Sequence, residues 1–274
     1  MPVTNRRVPV ATSLLTLMLA FLVGPPAPAA DIDGDGYERI LIPLAINGQT
    51  TPGAFGTQWT GRLWLYNAAP RAVGIAGPRC HSPGCGIYEA GHMGILGHGP
   101  TTSQPEVGLV LRPRSDDAPH LTFSSRLWET TRMGQPRGID LPIVREGNFF
   151  AGPVAFLGVP ADSGVRVALR VYNPWVEPRS SVAGADRVAV EFLDANGVAL
   201  ATTELTLTVP GNPAERPDYP GFAAIHDARA AFPQLAGTDV LHIRVRPVVP
   251  GAQYYAMVSV TDNETQTVAI VTAQ

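Results

Sequence analysis

The sequence contains no lysine, so all of its positive charge comes from arginine. Its 20 basic residues face 23 acidic residues, the formal net charge is -3, and only 16% of the residues are charged. A protein that binds nucleic acid needs a surface with a strong excess of positive charge. The composition therefore argues against a nucleic-acid partner.

Sequence motifs for catalysis are also missing. The chain has no nucleophile elbow, no metalloprotease His-Glu helix, no phosphate loop and no dinucleotide fingerprint. After the first 30 residues it has no apolar run of the roughly 20 residues that a membrane-spanning helix needs. We therefore expect a protein that is not an enzyme and whose mature chain does not span a membrane.

Turn-forming residues are abundant instead. The chain contains 28 Gly and 27 Pro together with 45% apolar residues, and the glycines follow no collagen-like period. This combination excludes a protein of long helices and argues against wholesale disorder. It predicts many short strands joined by turns.

The first 30 residues have the order of a secretory signal. An arginine pair at residues 6–7 precedes an apolar stretch at residues 8–23, and small residues follow at 27–30. This order is typical of a signal peptide that is removed on export. Twin-arginine export is a weaker alternative, because Pro9 stands where that signal prefers a bulky apolar residue. We expect residues 1–30 to be a signal peptide and the mature protein to be secreted, either extracellular or periplasmic.

Three segments of the second half repeat segments of the first half. The repeated pairs are residues 40–44 and 139–144, 63–67 and 169–173, and 123–131 and 258–265. Repetition over most of the chain indicates a duplicated unit. Because turn formers replace alternation at residues 133–138, we predict two β-sandwich domains, residues 31–136 and 137–274.

Alternating patterns in the second half predict its strands. Apolar and polar residues alternate at residues 165–171 and 241–246, as in half-buried strands, and turn formers at residues 194–197 predict a hairpin. Residues 221–232 carry a helical pattern that ends before Pro233. We predict an all-β fold: two tandem immunoglobulin-like antiparallel β-sandwiches, with one short helix in the second.

A resemblance to known proteins rests on residues 40–44, on residues 52–59 running into 63–67, and on residues 254–265. These segments are similar to a loose group of uncharacterised secreted bacterial proteins with tandem immunoglobulin-like β-sandwich domains. Some of those proteins stand alone and others are appended to secreted enzymes. The resemblance implies the fold and export, and its motifs imply no catalytic residues.

The only two cysteines, Cys80 and Cys85, flank a His-Ser-Pro-Gly turn. In an exported protein this spacing predicts a disulfide that closes a small loop. The alternative is a metal site, because His81, His92 and His98 lie nearby in the sequence and zinc binds both residue types. The spacing matches no familiar zinc motif, so the disulfide is preferred.

Asp31, Asp33 and Asp35 alternate with small residues in the manner of a calcium-binding loop. The match fails at the twelfth position, where Ile42 stands in place of a bidentate Glu. The motif leaves two alternatives open, a weak calcium site completed from elsewhere in the chain and a frayed acidic segment.

Arginines on two predicted strands form a possible anion-binding surface. If the strands are neighbours, alternation places on one outer face Arg166, Arg170, His242, Arg244 and Arg246. A surface of mixed charge is the preferred interpretation, because Glu residues alternate outward on nearby strands.

Tryptophans are the candidates for a ligand surface. Trp64 follows Leu63 directly in a strand, so one of the two faces away from the core. Trp59, Trp64, Trp128 and Trp175 could form a sugar-stacking platform, whereas packing in the core or between domains is the default for most of them. Trp64, Trp128 and Trp175 are the preferred candidates for an exposed ligand surface.

These observations give three hypotheses of function, in order of preference. The first is a secreted, non-enzymatic β-sandwich module that mediates interaction or adhesion or associates with the cell envelope. The second is a carbohydrate-binding module with exposed Trp and bound calcium, and the third is a metal-dependent enzyme at the Cys and His loop. The partner is accordingly expected to be a protein or a glycan.

Overall fold

A computed structural model describes residues 31–45, 50–53, 56–76, 86–96, 107–131, 138–175, 183–209 and 219–274. These residues are nearly all in antiparallel strands and the turns between them, which confirms the all-β prediction. Within these ranges the only α-helix is α1 (Ala228–Ala231). Among the described residues, no helix combines the length and the apolar character that crossing a membrane requires.

The first part of the chain forms two sheets. The strands are β1 (Ile40–Ile42), β2 (Thr51–Pro52), β3 (Gln58–Asn67), β4 (Val73–Ala76), β5 (Ile87–Tyr88), β6 (Met93–Ile95), β7 (Leu109–Pro113), β8 (Leu121–Glu129), β9 (Gly138–Leu141) and β10 (Val144–Arg145). One sheet has the order β10-β1-β7-β4-β5, and the other has the order β2-β3-β8-β9, with β6 also paired to β3.

The second part of the chain forms two more sheets. The strands are β11 (Val154–Pro160), β12 (Val165–Asn173), β13 (Arg187–Leu193), β14 (Ala199–Thr206), β15 (Gly221–Ile225), β16 (Val240–Pro247), β17 (Tyr255–Asp262) and β18 (Val268–Val271). One sheet has the order β11-β16-β13-β14 and the other the order β15-β12-β17-β18.

The two parts share one strand order. The run β1-β7-β4-β5 corresponds to β11-β16-β13-β14, and β6-β3-β8-β9 corresponds to β15-β12-β17-β18. The repeated Tyr-Asn dipeptide ends equivalent strands: the side-chain oxygen of Asn67 accepts from the amide of Ala69 at 2.9 Å, and that of Asn173 accepts from the amide of Trp175 at 2.8 Å. Two buried Asn residues therefore fix the same turn in both units.

Residues 138–145 pair with the first unit. Strand β9 pairs with β8, and β10 pairs with β1. The repeat that aligns residues 139–144 with 40–44 therefore does not correspond to equivalent strands, because β11 holds the position of β1 in the second unit. The sheets of the first unit continue past the predicted boundary at residue 136, and the connection between the units lies between β10 and β11.

The helix predicted at residues 221–232 is shorter than expected. Its first five residues form β15, which pairs with β12, and only Ala228–Ala231 is helical. Asp227 begins this helix by accepting from the amides of Arg229 and Ala230 at 3.0 and 3.2 Å. The predicted hairpin at residues 194–197 is confirmed, since β13 and β14 pair on either side of it.

Each unit encloses an apolar core between its two sheets. The core of the first unit contains Ile40, Ile42, Leu63, Leu65 and Leu109 among others. The larger core of the second unit contains the inward residues of β11, β12, β13, β16 and β17. Strands β14 and β15 each contribute one buried residue, Ala201 and Ile225. Both parts are therefore sandwiches.

Apolar side chains also join the two sandwiches. Leu41 points away from the first core and packs with Tyr172 and Trp175 of the second unit. A second shared cluster contains Leu127 of the first unit and Met257 of the second. Strand β1 is thus buried on both faces, between its own sandwich and the sheet of β12.

A buried ionic network lies beside this interface. Arg39 is 1% exposed, its guanidinium lies 4.2 Å over the ring of Trp175, and it pairs with Asp33 at 2.8 Å. The carboxylate of Glu146, 0% exposed, accepts from the amides of Ile32 and Arg39 at 2.8 and 2.7 Å. The network joins the start of the described chain, the connection between the units and the second sandwich.

The stability of the protein is expected to fall as the pH rises from about 4.5 to about 7. Burial raises the pKa of Glu146 from 4.5 to about 7, although the two amides and Arg39 favour its charged form. In this window the folded state holds a proton that the unfolded chain has released, so ionisation costs about 3 kcal/mol of unfolding free energy. Urea unfolding across this range should show that loss in the unchanged protein and lack it in Glu146→Gln.

The matched control is Glu204→Gln, at a carboxylate that is 55% exposed in its pair with Arg187. This control should leave the pH dependence as it is. An equal pH dependence in Glu146→Gln and the unchanged protein would contradict the assignment.

Candidate ligand-binding groove

A groove of about 360 Å³ lies between the two sandwiches. Residues of β12, β17 and β18 line one side, and residues of β2, β3, β8 and β9 line the other. The groove exists because the first sandwich covers only part of the outer face of the second sandwich's sheet. Its volume is within the range of pockets that bind small ligands.

Strand β12 builds the floor of the groove by simple alternation. Val167, Leu169 and Val171 point into the core of the second unit, so Arg166, Ala168 and Arg170 point outward into the groove. Ala168 is directly opposite Ser259 on β17, and Arg166 is opposite Thr261. The small Ala168 between two long arginines leaves a depression.

The opposite wall is apolar. It is formed by the inward face of the sheet of β3, β8 and β9 where this sheet extends past the short strand β1. Leu127 and Leu141 contribute from β8 and β9, and Trp59 contributes from the start of β3. Gly53 permits the position of Trp59, because a Cβ atom at Gly53 would collide with the indole.

The charges in the groove are unevenly balanced. Two arginines, Arg166 and Arg170, and one carboxylate, Asp227, line it together with His226. Burial lowers the pKa of Arg166. The negative charge of Asp227 acts against this shift, and the positive charge of Arg170 adds to it. Arg170 donates to the hydroxyl of Ser259 at 3.0 Å, so its guanidinium is held in place.

This arrangement suits the binding of a molecule with a polar end and an apolar body. Guanidinium and hydroxyl groups donate to oxygen atoms, and the facing wall of Leu and Trp side chains covers an apolar surface. Groups of this kind can orient a ligand without reacting with it.

The predicted arginine surface is not one surface. Strands β12 and β16 belong to different sheets of the second sandwich, so Arg166 and Arg170 face the groove whereas Arg244 and Arg246 lie on the opposite side. Arg244 and Arg246 are ion-paired with Glu191. The mixed-charge interpretation therefore holds for β16. The five side chains do not form one surface, because that required β12 and β16 to be neighbouring strands.

The four candidate tryptophans do not share a surface, and Trp59 lines the groove. Trp175 is 4% exposed and donates from its indole nitrogen to Gln253 at 3.0 Å. Trp64 and Trp128 are half-buried on the outer face of the first sandwich, with ring centroids 5.5 Å apart at an interplanar angle of 81°. Trp175 is accordingly part of the interface, and Trp64 and Trp128 are the two candidates that can contact a ligand on the outer face of the first sandwich.

The aspartates predicted to bind calcium have other contacts. Arg39 donates to Asp33 at 2.8 Å and to Asp35 at 3.1 Å, and Asp31 accepts from the amide of Gly36 at 3.0 Å. The guanidinium supplies the positive charge that a cation would bring, so calcium binding would require these ion pairs to open. Within the described ranges, no group of three or more His, Cys, Asp or Glu is placed to hold a metal ion.

Most of the Cys and His loop lies outside the described residues. This applies to Cys80 and Cys85 and to the nearby His81 and His98. His92 is described, and its ring lies 5.3 Å from that of Tyr88. The disulfide and the zinc site therefore stay predictions.

Several groove residues were not predicted from the sequence as a site. These are Ala168, His226, Asp227, Ser259 and Thr261. Trp59 was a candidate as an aromatic platform residue, but not as part of this groove. One signal was present, since an Arg-x-Ala-x-Arg strand places a small residue between two large ones on one face. Nothing local in the sequence indicates that a second sandwich covers this face.

The chain matches no family model, no curated protein and no solved structure. The resemblance to secreted proteins with immunoglobulin-like domains stays an expectation.

Proposed function

We propose that this protein is an exported, non-enzymatic binding module whose ligand occupies the groove between its two sandwiches. The observation that carries the proposal is the composition of the groove: two arginines and two hydroxyls face an apolar wall that includes Trp59. Such a mixture of apolar walls and a few placed polar groups is typical of ligand pockets. An interaction, adhesive or envelope-associated role outside the cell would use this site.

The groove is suited to binding because its two walls are held together. The interface clusters fix the first sandwich on the sheet of β12, so the ligand does not have to organise the walls. A site that is formed in advance loses less conformational entropy on binding. Export itself is proposed from the signal-like first 30 residues.

A leucine at position 168 should abolish binding in the groove. Ala168 is 6% exposed and lies between the arginines, so Ala168→Leu fills the depression. In a thermal-unfolding screen of small molecules, a ligand at 100 times its dissociation constant should raise the melting temperature by about 5 °C or more. The unchanged protein should show this shift and Ala168→Leu should not.

Ala189→Leu is the matched control, because Ala189 lies on the central strand β13 and on the outer face of the other sheet of the same sandwich. It should respond to ligands like the unchanged protein. Ligands that stabilise all three proteins equally, or a screen without any stabilising ligand, would contradict the proposal.

A second candidate function is the binding of carbohydrate on the outer face of the first sandwich. Trp64 and Trp128 share this face with Tyr66, which is 39% exposed. Met93 and Ile95, 76% and 45% exposed, pair with Tyr66 and Trp64 on the adjacent strand β6. Aromatic rings that are partly exposed on a surface offer a face on which sugars stack.

If this candidate is correct, neutral polysaccharides should retard the protein in affinity gel electrophoresis. Trp64→Ala and Trp128→Ala should each weaken the interaction about tenfold or more, since they remove a large aromatic contact. Leu157→Ala, at an apolar side chain that is 53% exposed in the second unit, is the control. Runs with and without calcium test whether binding requires the cation. If no polysaccharide changes the migration of the protein, carbohydrate binding on this face is excluded.

A further inference from the structure

We propose that the ligand of the groove is an amphiphilic carboxylate, a small molecule with one carboxylate group and an apolar body. This inference rests on the proposed function, because it names the class of ligand for the same site. The carboxylate lies between Arg166 and Arg170 above Ala168, and the apolar body lies against Trp59, Leu127 and Leu141.

The charge of the groove favours one negative group. Its lining contains two arginines and one carboxylate, so it keeps one net positive charge in a chain whose formal net charge is -3. Charge inside a half-buried site is screened less than charge on the surface. A single carboxylate neutralises this excess, whereas a dianion would leave a negative charge uncompensated.

The spacing of the arginines favours a carboxylate in particular. Arg166 and Arg170 leave β12 on either side of Ala168, each about 7 Å along the strand from it. Each guanidinium presents planar pairs of donors that match the two oxygens of a carboxylate. The hydroxyl of Ser259 accepts from Arg170 at 3.0 Å, so this donor is oriented before a ligand arrives.

The opposite wall favours an apolar body. Leu127 and Leu141 belong to an apolar cluster, Trp59 packs against it, and Ile139 extends the same wall. Ile270 of β18 meets this cluster from the other side of the groove. A fully polar ligand would lose hydration against these side chains without gaining hydrogen bonds there. The ligand therefore has its polar group at one end only.

Isosteric pairs of probes test the inference on the unchanged protein. Isothermal titration calorimetry at about pH 7 would compare naphthylacetate with naphthylacetamide, decanoate with decanamide, and glucuronate with glucose. Each acid differs from its neutral partner chiefly in charge. We expect naphthylacetate and decanoate to bind about tenfold or more tightly than their amides, because charged hydrogen bonds are the stronger ones.

Variants locate the effect. Arg166→Gln and Arg170→Gln should each reduce the affinity for the acids towards that of the amides and leave the affinity for the amides nearly unchanged. Arg244→Gln, at an exposed arginine on the other sheet, should change neither. Circular dichroism checks the fold of each variant. If a variant does not fold, the ratio of the affinities of acid and amide for the unchanged protein tests the preference for a carboxylate.

The outcomes separate this inference from the proposed function. Equal binding of acids and amides, both lost in Ala168→Leu, would overturn the carboxylate and leave the groove as the ligand site. Tighter binding of glucuronate than of naphthylacetate and decanoate would overturn the apolar body. If neither the acids nor the amides bind, the carboxylate ligand is overturned, and the small-molecule screen with Ala168→Leu decides the proposed function.

Discussion

The burial of strand β1 between two sandwiches is the constraint on which the rest of the structure depends. Ile40 and Ile42 point into the first core, and Leu41 packs on Tyr172 and Trp175 of the second unit. Burying one large apolar side chain stabilises a structure by about 1.5–3 kcal/mol. Because β1 is only three residues long, the sheet of β3 and β8 extends past it and leaves the groove beside the interface.

The buried ions next to β1 add orientation to this apolar contact. Arg39 contacts the ring of Trp175 in the second unit and the carboxylates of Asp33 and Glu146. These contacts can all form in only one relative position of the three segments that carry them. Breaking a buried ion pair by removing one partner costs about 3–5 kcal/mol. The acidic motif that suggested calcium in the sequence therefore has a structural contact with an arginine that is near it in sequence.

Much of the fold could be predicted from the sequence, because strands carry their own pattern. Alternation identified β12 and β16, and the Asp-Ala-Asn-Gly turn identified the β13–β14 hairpin. The Tyr-Asn repeat identified equivalent strands, because each Asn forms the same turn. The helical pattern at residues 221–232 gave a wrong prediction for its first five residues. Phe222 and Ala224 also fit the alternation of a strand, and this segment pairs with β12.

The site could be predicted only in part. Arg166 and Arg170 were placed correctly on one face, but the sequence did not show which sheet or sandwich that face meets. Trp59 joins the groove through contacts between segments about 110 residues apart in the chain, which no local pattern records. Trp175 was one candidate for a ligand surface, with packing as the default for most of the tryptophans, and it is covered at the interface with the first sandwich.

Hydrogen exchange measured at increasing denaturant tests most directly whether the two sandwiches form one cooperative body. The amides of β8 in the first unit and β13 in the second should lose protection at the same denaturant concentration. Leu41→Ala, which opens a cavity at the shared interface, should lower the stability of both by about 2–5 kcal/mol. Separate transitions for β8 and β13, or a Leu41→Ala effect confined to one unit, would contradict the account.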